Sequence, residues 1–240
     1  MCSGSATKVV TLAVALGASL AGCSDIYFDR RDGVSIVSGV VAVGIAAFVG
    51  TVLGLISGYL GRWVDQVIMR VTDTWLAIPA LTFAIFLAAV VGPSQWNIVI
   101  ILGAVYWTRY ARVVRGEVLS LKEREFVEAA RAIGAKSSRI VIRHIIPNSI
   151  GPLLVSLSLG VVGAIVSEAT LSLFGYGPQP GAGQTSLGLL VGQSKDWVKA
   201  GYWWLVVFPI GALLVITLCI SFIGDGLRDA TDPKSSQGRA

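Results

Sequence analysis

Charged residues that could do chemistry are concentrated in one stretch, residues 121–148, which reads LKEREFVEAARAIGAKSSRIVIRHIIPN. Its acidic residues come early and its last basic residues come late: Glu123, Glu125 and Glu128, then Arg139 and Arg143. Exposed charges of this kind pair with complementary charges on another protein. No nucleophile, base and orienting residue cluster here, so the stretch does not predict a catalytic site. The pattern favours docking of a soluble partner.

Other reactive residue types are isolated from one another. His144 is the only histidine, and Cys2, Cys23 and Cys219 are too far apart to pair as metal ligands, so no metal site is predicted. Residues 134–137 read GAKS and lack the glycine that a phosphate-binding loop needs immediately before its lysine. The sequence therefore predicts no nucleotide-binding site in this chain.

The composition predicts an integral membrane protein that positions these residues on helices. The chain has 240 residues, of which 54% are hydrophobic and 14% charged, where a soluble domain carries roughly 25% charged residues. The apolar runs lack the alternation of a transmembrane barrel, which leaves helices. The net charge of +5 comes from Lys and Arg in the loops between these runs, as the positive-inside bias requires, so nucleic-acid binding is not favoured.

Five apolar runs predict five transmembrane helices, at residues 34–60, 75–92, 96–110, 149–174 and 202–223. Residues 61–73 are expected to form an amphipathic connector at the cytoplasmic surface. Nine Lys or Arg residues lie between Arg109 and Arg143, whereas the turn at 92–95 has none, which places the charged stretch in the cytoplasm. Residues 175–201 then face outside, and the tail from Gly224 is cytoplasmic.

Within the first of these helices, Gly50, Gly54 and Gly58 recur at every fourth residue. They share one helix face and would let another backbone approach closely. The alternative is a glycine-rich helix without a special partner. Glu168 lies toward the outer end of the fourth helix, where a carboxylate is a functional-site hypothesis by default. A structural hydrogen bond to a neighbouring helix is its alternative.

The first 33 residues allow two interpretations. Lys8 precedes a short apolar run that ends in Leu20-Ala21-Gly22-Cys23, which is similar to the signal of a lipoprotein, and cleavage there would leave Cys23 lipidated. A short first transmembrane helix is the other interpretation. We therefore divide the chain into an atypical N-terminal segment at 1–33, a membrane domain at 34–233 and a tail at 234–240.

The charged stretch is expected to form two helices with a glycine joint. The first runs from Glu123 to Ile133 and ends at Gly134, which can adopt the left-handed conformation. The second runs from an N-cap at Ser137 or Ser138 to Ile146 and stops at Pro147. One face of the first helix is apolar, formed by Phe126, Ala129, Ala130 and Ile133.

Glu128-Ala129-Ala130, followed by Gly134 and Pro147, resembles the EAA motif of permease subunits of binding-protein-dependent ABC importers. The resemblance is strongest to the second permease of dipeptide, oligopeptide and nickel systems, and it extends to five further segments: 58–70, 109–130, 143–148, 167–177 and 224–233. Ile146 stands where that family more often has leucine. Before Gly33 the family's first transmembrane helix and its external signature are not found.

The resemblance implies an all-α polytopic fold, the type I ABC importer transmembrane domain (MetI-like). It implies that Glu128, Ala129, Ala130, Gly134 and Pro147 couple the membrane domain to the ATPase. Glu168 would line the translocation path or bond to the partner permease, and His144 would anchor the loop. The implied partners are a second homologous permease, two ATP-binding subunits, an extracytoplasmic solute-binding protein and the lipid bilayer.

The resemblance also implies peptides as cargo. The alternatives are a nickel importer of the same family and a truncated paralogue that does not transport. The chain itself would be no enzyme and would carry no cofactor, since ATP and Mg would bind the partner ATPase subunits. The expected location is the cytoplasmic (inner) membrane of a bacterium or archaeon, as a multi-pass protein.

Overall fold

The computed structural model describes residues 34–177 and 186–231, and no residue in these two ranges lies in a strand. Both interpretations of residues 1–33, including lipidation of Cys23, fall outside the described residues, as does the tail at 234–240. The prediction of an all-helical chain is confirmed for the described part. Its longer helices are α1 (Val34–Leu60), α2 (Arg62–Leu76), α3 (Ala80–Val91), α4 (Gln95–Leu121), α5 (Glu125–Ala132), α7 (Ile146–Leu173) and α10 (Trp204–Thr231).

Three shorter helices complete the described part: α6 (Ser137–Ile140), α8 (Leu187–Gln193) and α9 (Lys195–Lys199). A π-helical turn, Val141–Ile145, joins α6 to α7. On the side predicted to be external, Ser186 is the N-cap of α8, and its hydroxyl accepts a hydrogen bond from the backbone N–H of Leu189 at 3.2 Å. Residues 187–199 thus contain short helices where the sequence predicted only a polar external segment.

Helices α1 and α4 run in the same direction and pack along most of their length through the glycine face. A Cβ added to Gly54 would lie 2.6 Å from the carbonyl oxygen of Ala111 and 2.9 Å from Cβ of Val114. Gly50 and Gly58 meet α4 in the same way, one turn earlier and one turn later. Because no side chain separates them, the two backbones touch directly at these three turns.

Length and apolar composition identify three helical runs in the described part that could cross a membrane: Ile36–Leu60, Ser137–Leu173 and Trp204–Gly226. The pair α2 and α3 raises this number to four if it is counted as one bent span. The predicted third span, 96–110, lies in α4, which is not among them, because polar Gln95 and Asn97 precede its apolar part and Arg109 follows it. Three or four spans are therefore found in the described part, where the sequence predicted five. These helices make the chain a multi-pass membrane protein.

The predicted second span, 75–92, is interrupted in the structure. Trp75 and Leu76 end the amphipathic helix α2, and the chain bends by 81° before α3 begins. Pro79 occupies the N-cap of α3, where its missing N–H costs no helical hydrogen bond. The Trp75 ring packs edge-on against the rings of Phe83 at 5.1 Å and Trp107 at 6.2 Å, which fixes the bend against α4.

Candidate coupling site

Helix α5 begins two residues later than predicted, at Glu125, after an extended residue Arg124. The backbone N–H groups of Val127 and Glu128 donate to the carbonyl oxygen of Arg124, which closes the first turn. Glu125 and Glu128 both lie in that turn, where carboxylates interact favourably with the positive end of the helix dipole. Both side chains are exposed, so Glu128 is available to a partner.

Gly134 ends α5 as the sequence predicts, with a φ of 81°. The N–H of Gly134 donates to the carbonyl oxygen of Arg131 at 2.9 Å, and the N–H of Ala135 donates to that of Ala130 at 3.0 Å. This pair of bonds is the Schellman motif, which satisfies the last carbonyl groups of the helix. A residue with a side chain would be strained at this φ, so Gly134 fixes the direction in which the chain leaves α5.

The side of α5 that packs against the membrane helices contains only part of the predicted apolar face. Val127 is fully buried and Ala130 packs beside it, whereas Phe126 is 42% exposed and Ile133 is 86% exposed. Residues three apart share a helix face, and here the Val127 and Ala130 face points inward. Of the predicted apolar face, Ala130 therefore packs inward, whereas Phe126, Ala129 and Ile133 lie on the outer surface, next to Glu128.

Five buried side chains hold this segment to the bundle. They come from α4, from α5, and from the helical run that leads into α7: Val114, Val118, Val127, Ile140 and Ile145. All five are at most 1% exposed. A force on α5 therefore reaches α4 and α7 through close-packed contacts rather than through a flexible loop.

Pro147 does not stop the second helix, which is a correction to the sequence-based expectation. The chain is helical without interruption from Ser137 to Leu173, and Pro147 lies in the first turn of α7. A proline inside an α-helix loses one hydrogen bond and clashes with the carbonyl group four residues earlier, here that of Arg143. The π-helical turn, which holds Arg143, widens the helix where this clash would occur.

The start of this second helix also differs from the expectation. Lys136, rather than Ser137 or Ser138, is its N-cap, and no side chain caps it. His144 lies in the π-helical turn, and its ring is 6.1 Å from that of Phe126 on α5. The two halves of the charged stretch thus lie close together at these rings. The anchoring role of His144 stays a prediction.

A cluster of charges that the sequence analysis did not single out lies beside this site. Arg115 of α4 forms a two-pronged ion pair with Asp65 of α2: its Nε is 2.5 Å from Oδ1 and its Nη2 is 2.6 Å from Oδ2. The Ser57 hydroxyl of α1 donates to the same Asp65 Oδ1 at 2.5 Å. We call these three residues the clasp. It ties α1, α2 and α4 together near the end of α4 that leads into α5.

The clasp changes the protonation behaviour of both ionisable groups. The hydrogen bond from Arg115 lowers the pKa of Asp65, burial opposes this effect, and the Ser57 hydrogen bond adds to it. The hydrogen bond to Asp65 in turn raises the pKa of Arg115. A signal for the clasp was present in the sequence, since opposite charges stood at the predicted cytoplasmic ends of neighbouring helices. Which of these charges pair could not be assigned from sequence, because it depends on how α1 and α4 align along the glycine face.

Glu168 lies inside α7 and is only 2% exposed. The Ser172 hydroxyl, one turn later, donates to its Oε1 at 2.9 Å. One residue before it, the Ser167 hydroxyl is hydrogen-bonded to the Tyr106 hydroxyl of α4 at 2.7 Å. Glu168 therefore lies within the protein rather than against lipid, beside a polar contact between α4 and α7. Its role in the translocation path stays a prediction.

The structure brings most of the predicted coupling residues together. Glu128 and Ala129 lie on the outer surface of α5, Ala130 lies on its inner side, and Gly134 follows the helix, whereas Pro147 lies further on, in α7. Among the described residues, no group of three or more His, Cys, Asp or Glu side chains could hold a metal ion.

Known proteins are similar to this chain over most of its length. A family model described as binding-protein-dependent transport system inner membrane component matches residues 50–237. The chain is 42% identical over 200 residues to a dipeptide transport system permease of Alkalihalophilus pseudofirmus, covering 83% of this chain and 65% of the relative. It is 40% identical over 201 residues to an oligopeptide transport system permease of Haemophilus influenzae, covering 84% of this chain and 64% of the relative. The chain thus spans about two thirds of the length of these relatives.

Two solved structures share the fold. An inward-facing structure of the MetNI methionine ABC transporter superposes with a TM-score of 0.62 at 18% identity, over 82% of this chain and 94% of the other. An amino acid ABC transporter with histidines superposes with a TM-score of 0.64 at 15% identity, over 89% of this chain and 97% of the other. The predicted MetI-like fold is confirmed.

Proposed function

Because the chain belongs to the family of binding-protein-dependent transport system inner membrane components, we propose that it is the permease subunit of an ATP-driven importer. It forms half of a translocation pore in the cytoplasmic membrane of a bacterium or archaeon. A second, homologous permease forms the other half. Two ATP-binding subunits and an extracytoplasmic solute-binding protein complete the transporter, and the hydrolysis of ATP takes place outside this chain.

The observation that carries this proposal is the surface of α5. It combines an exposed carboxylate, Glu128, with exposed apolar side chains, Phe126 and Ile133. Exposed apolar groups beside a charge are typical of a surface that another protein covers. The buried Val127 on the opposite side fixes this surface to the membrane helices. Such a surface suits an ATPase that must push on the pore.

The packing suggests how movement of the ATPase subunits is transmitted to the membrane helices. When the ATPase subunits close on ATP, α5 moves with them. Val127 carries the movement to Val114 and Val118 of α4, and to the helical run that enters α7. The clasp then links α4 to α1 and α2 through Arg115 and Asp65. The pore alternates between outward and inward access as these helices move together.

Peptides are the proposed cargo. Support comes from the dipeptide and oligopeptide permeases to which the chain is similar at 40% identity or more. Selectivity in such systems is expected to reside largely in the external binding protein. Nickel remains the alternative cargo within the same family.

The test is reconstitution of the whole transporter. The chain is co-expressed with its neighbouring permease and ATPase genes, purified by a tag on this subunit, and assayed for ATP hydrolysis stimulated by binding protein and peptide. Glu128→Ala combined with Gly134→Asp should abolish stimulated hydrolysis and uptake. Glu123→Ala removes an exposed carboxylate just outside α5 and serves as the control, with activity retained. Full uptake by the double variant would refute the assignment of the coupling surface.

A further inference from the structure

An open pocket lies on the second half of the charged stretch, just beyond Gly134. Three cations line it, Lys136, Arg139 and Arg143, together with the Ser138 hydroxyl and the apolar side chain of Ile142. The cations come from the loop after α5, from α6 and from the π-helical turn. The pocket is therefore built from the loop after α5 and the first turns of the helical run that follows it.

The positive charge of this pocket is not balanced within the described structure. No Asp or Glu occurs between Glu128 and Glu168 in the sequence. The ion pairs found among the described residues belong to Arg112 and Arg115, and none involves Lys136, Arg139 or Arg143. All three side chains are exposed. Three like charges that line one concave surface produce a local positive potential that attracts carboxylates or phosphates.

The apolar residues beside the pocket favour a protein as the occupant. Ile142 inside the pocket is 66% exposed, and Ile133, just before Gly134, is 86% exposed. A free phosphate ion would neutralise the cations but would leave both isoleucines in water. A protein surface can cover the apolar groups and pair with the charges at the same time. Gly134 borders both the pocket and α5, so the two features form one continuous surface.

We propose that this pocket receives an acidic segment of the ATPase subunit, next to the contact that the same subunit makes with α5. The inference rests on the proposed function and extends it. The ATPase surface must then carry two opposite features: a cation that faces Glu128, and Asp or Glu side chains that enter the basic pocket. Arginine suits the second contact, because its planar guanidinium group can bind both oxygens of one carboxylate.

Charge reversal tests the pocket. Lys136→Glu and Arg139→Glu each introduce a carboxylate at an exposed position, and Arg70→Glu makes the same change at an exposed position on α2. We expect each pocket variant to weaken retention of the ATPase on the tagged permease by about tenfold or more, whereas Arg70→Glu retains it. Raising the salt concentration should weaken the wild-type complex more than the pocket variants. Equal retention by all three variants would overturn the inference.

A photoreactive amino acid in place of Ser138 identifies the occupant directly, with Gln66 on α2 as the matched exposed position. The expected product joins residue 138 to an ATPase peptide that contains Asp or Glu, and residue 66 gives no such product. Cross-links only to phospholipid, in a preparation that contains the ATPase, would show that the pocket binds a lipid headgroup and would refute the proposal. If the wild-type chain retains no ATPase at all, the proposed function itself fails, which separates the two results.

Discussion

Substituting Gly54 by alanine should destabilise the membrane domain even though alanine is the better helix former. The added Cβ would lie 2.6 Å from the carbonyl oxygen of Ala111, 2.9 Å from Cβ of Val114 and 3.2 Å from the backbone nitrogen of Arg115. Two of these three atoms belong to the backbone, which cannot rotate away. The two helices must therefore separate by several tenths of an ångström over at least one turn.

The magnitude follows from two opposing effects. Overpacking of this kind costs roughly 1–3 kcal/mol, and the higher helix propensity of alanine returns about 1 kcal/mol. Gly44 lies on the same helix, and an added Cβ there would meet nothing within 4 Å. Gly44→Ala therefore isolates the propensity effect. The two variants should differ by the overpacking cost, which corresponds to about 2–12 °C in unfolding temperature.

The assay is thermal unfolding of the purified chain in detergent, followed by tryptophan fluorescence at one fixed heating rate, because unfolding of membrane proteins is often irreversible. Gly54→Ala should unfold at a lower temperature than the wild type, and Gly44→Ala at the same or a higher temperature. Equal unfolding temperatures for the two variants would refute the direct backbone contact between α1 and α4.

Three further results are expected. Asp65→Asn removes the carboxylate of the partly buried clasp, where the Asp65 side chain is 18% exposed and that of Arg115 31%, and should cost about 1–3 kcal/mol of stability. Asp73→Asn, in the exposed pair with Arg112, should cost less than about 1 kcal/mol. Because the pKa of Asp65 is lowered in the folded protein, the clasp stabilises the fold above pH 3.8, the ordinary pKa of an aspartate. This contribution is lost as the pH falls through the folded-state pKa. Acid unfolding of Asp65→Asn should lack this component, and an acid profile equal to that of the wild type would contradict it. Pro147→Ala restores a backbone N–H and should convert the π-helical turn to regular α-helix, which turns α5 relative to α7. ATP hydrolysis by the reconstituted complex should then depend less on peptide. An unchanged dependence would argue against a role for the turn in coupling.

Parts of this fold follow directly from sequence. The bounds of α1 match the predicted span, and its glycine face is visible in the sequence because Gly50, Gly54 and Gly58 recur at every fourth residue. Gly134 was recognised as a helix end, because only glycine adopts a positive φ without strain. Both features depend on local chemistry that a single stretch of sequence contains.

Other parts depend on contacts that a single stretch does not contain. The inward direction of Val127 depends on its packing against Val114 and Val118 of α4, which the residue pattern of α5 alone does not show, so only Ala130 of the predicted apolar face packs inward. Pro147 was read as a helix end, because the wider π-helical turn that accommodates it leaves no pattern in the residue types. The 81° bend after α2 depends in the same way on ring contacts with Trp107.

The glycine face also restricts which parts of the molecule can move. Side chains that interdigitate can change rotamer and let helices slide, but the backbones of α1 and α4 touch directly at Gly50, Gly54 and Gly58. A small translation of one helix along the other would bring carbonyl oxygens into contact with main-chain atoms, so we expect these two helices to move as one rigid unit. Helix α10 is different, since no side chain along its most apolar stretch is buried within this chain. On the proposed function, we therefore expect the helix movements of transport at surfaces such as that of α10, and not between α1 and α4.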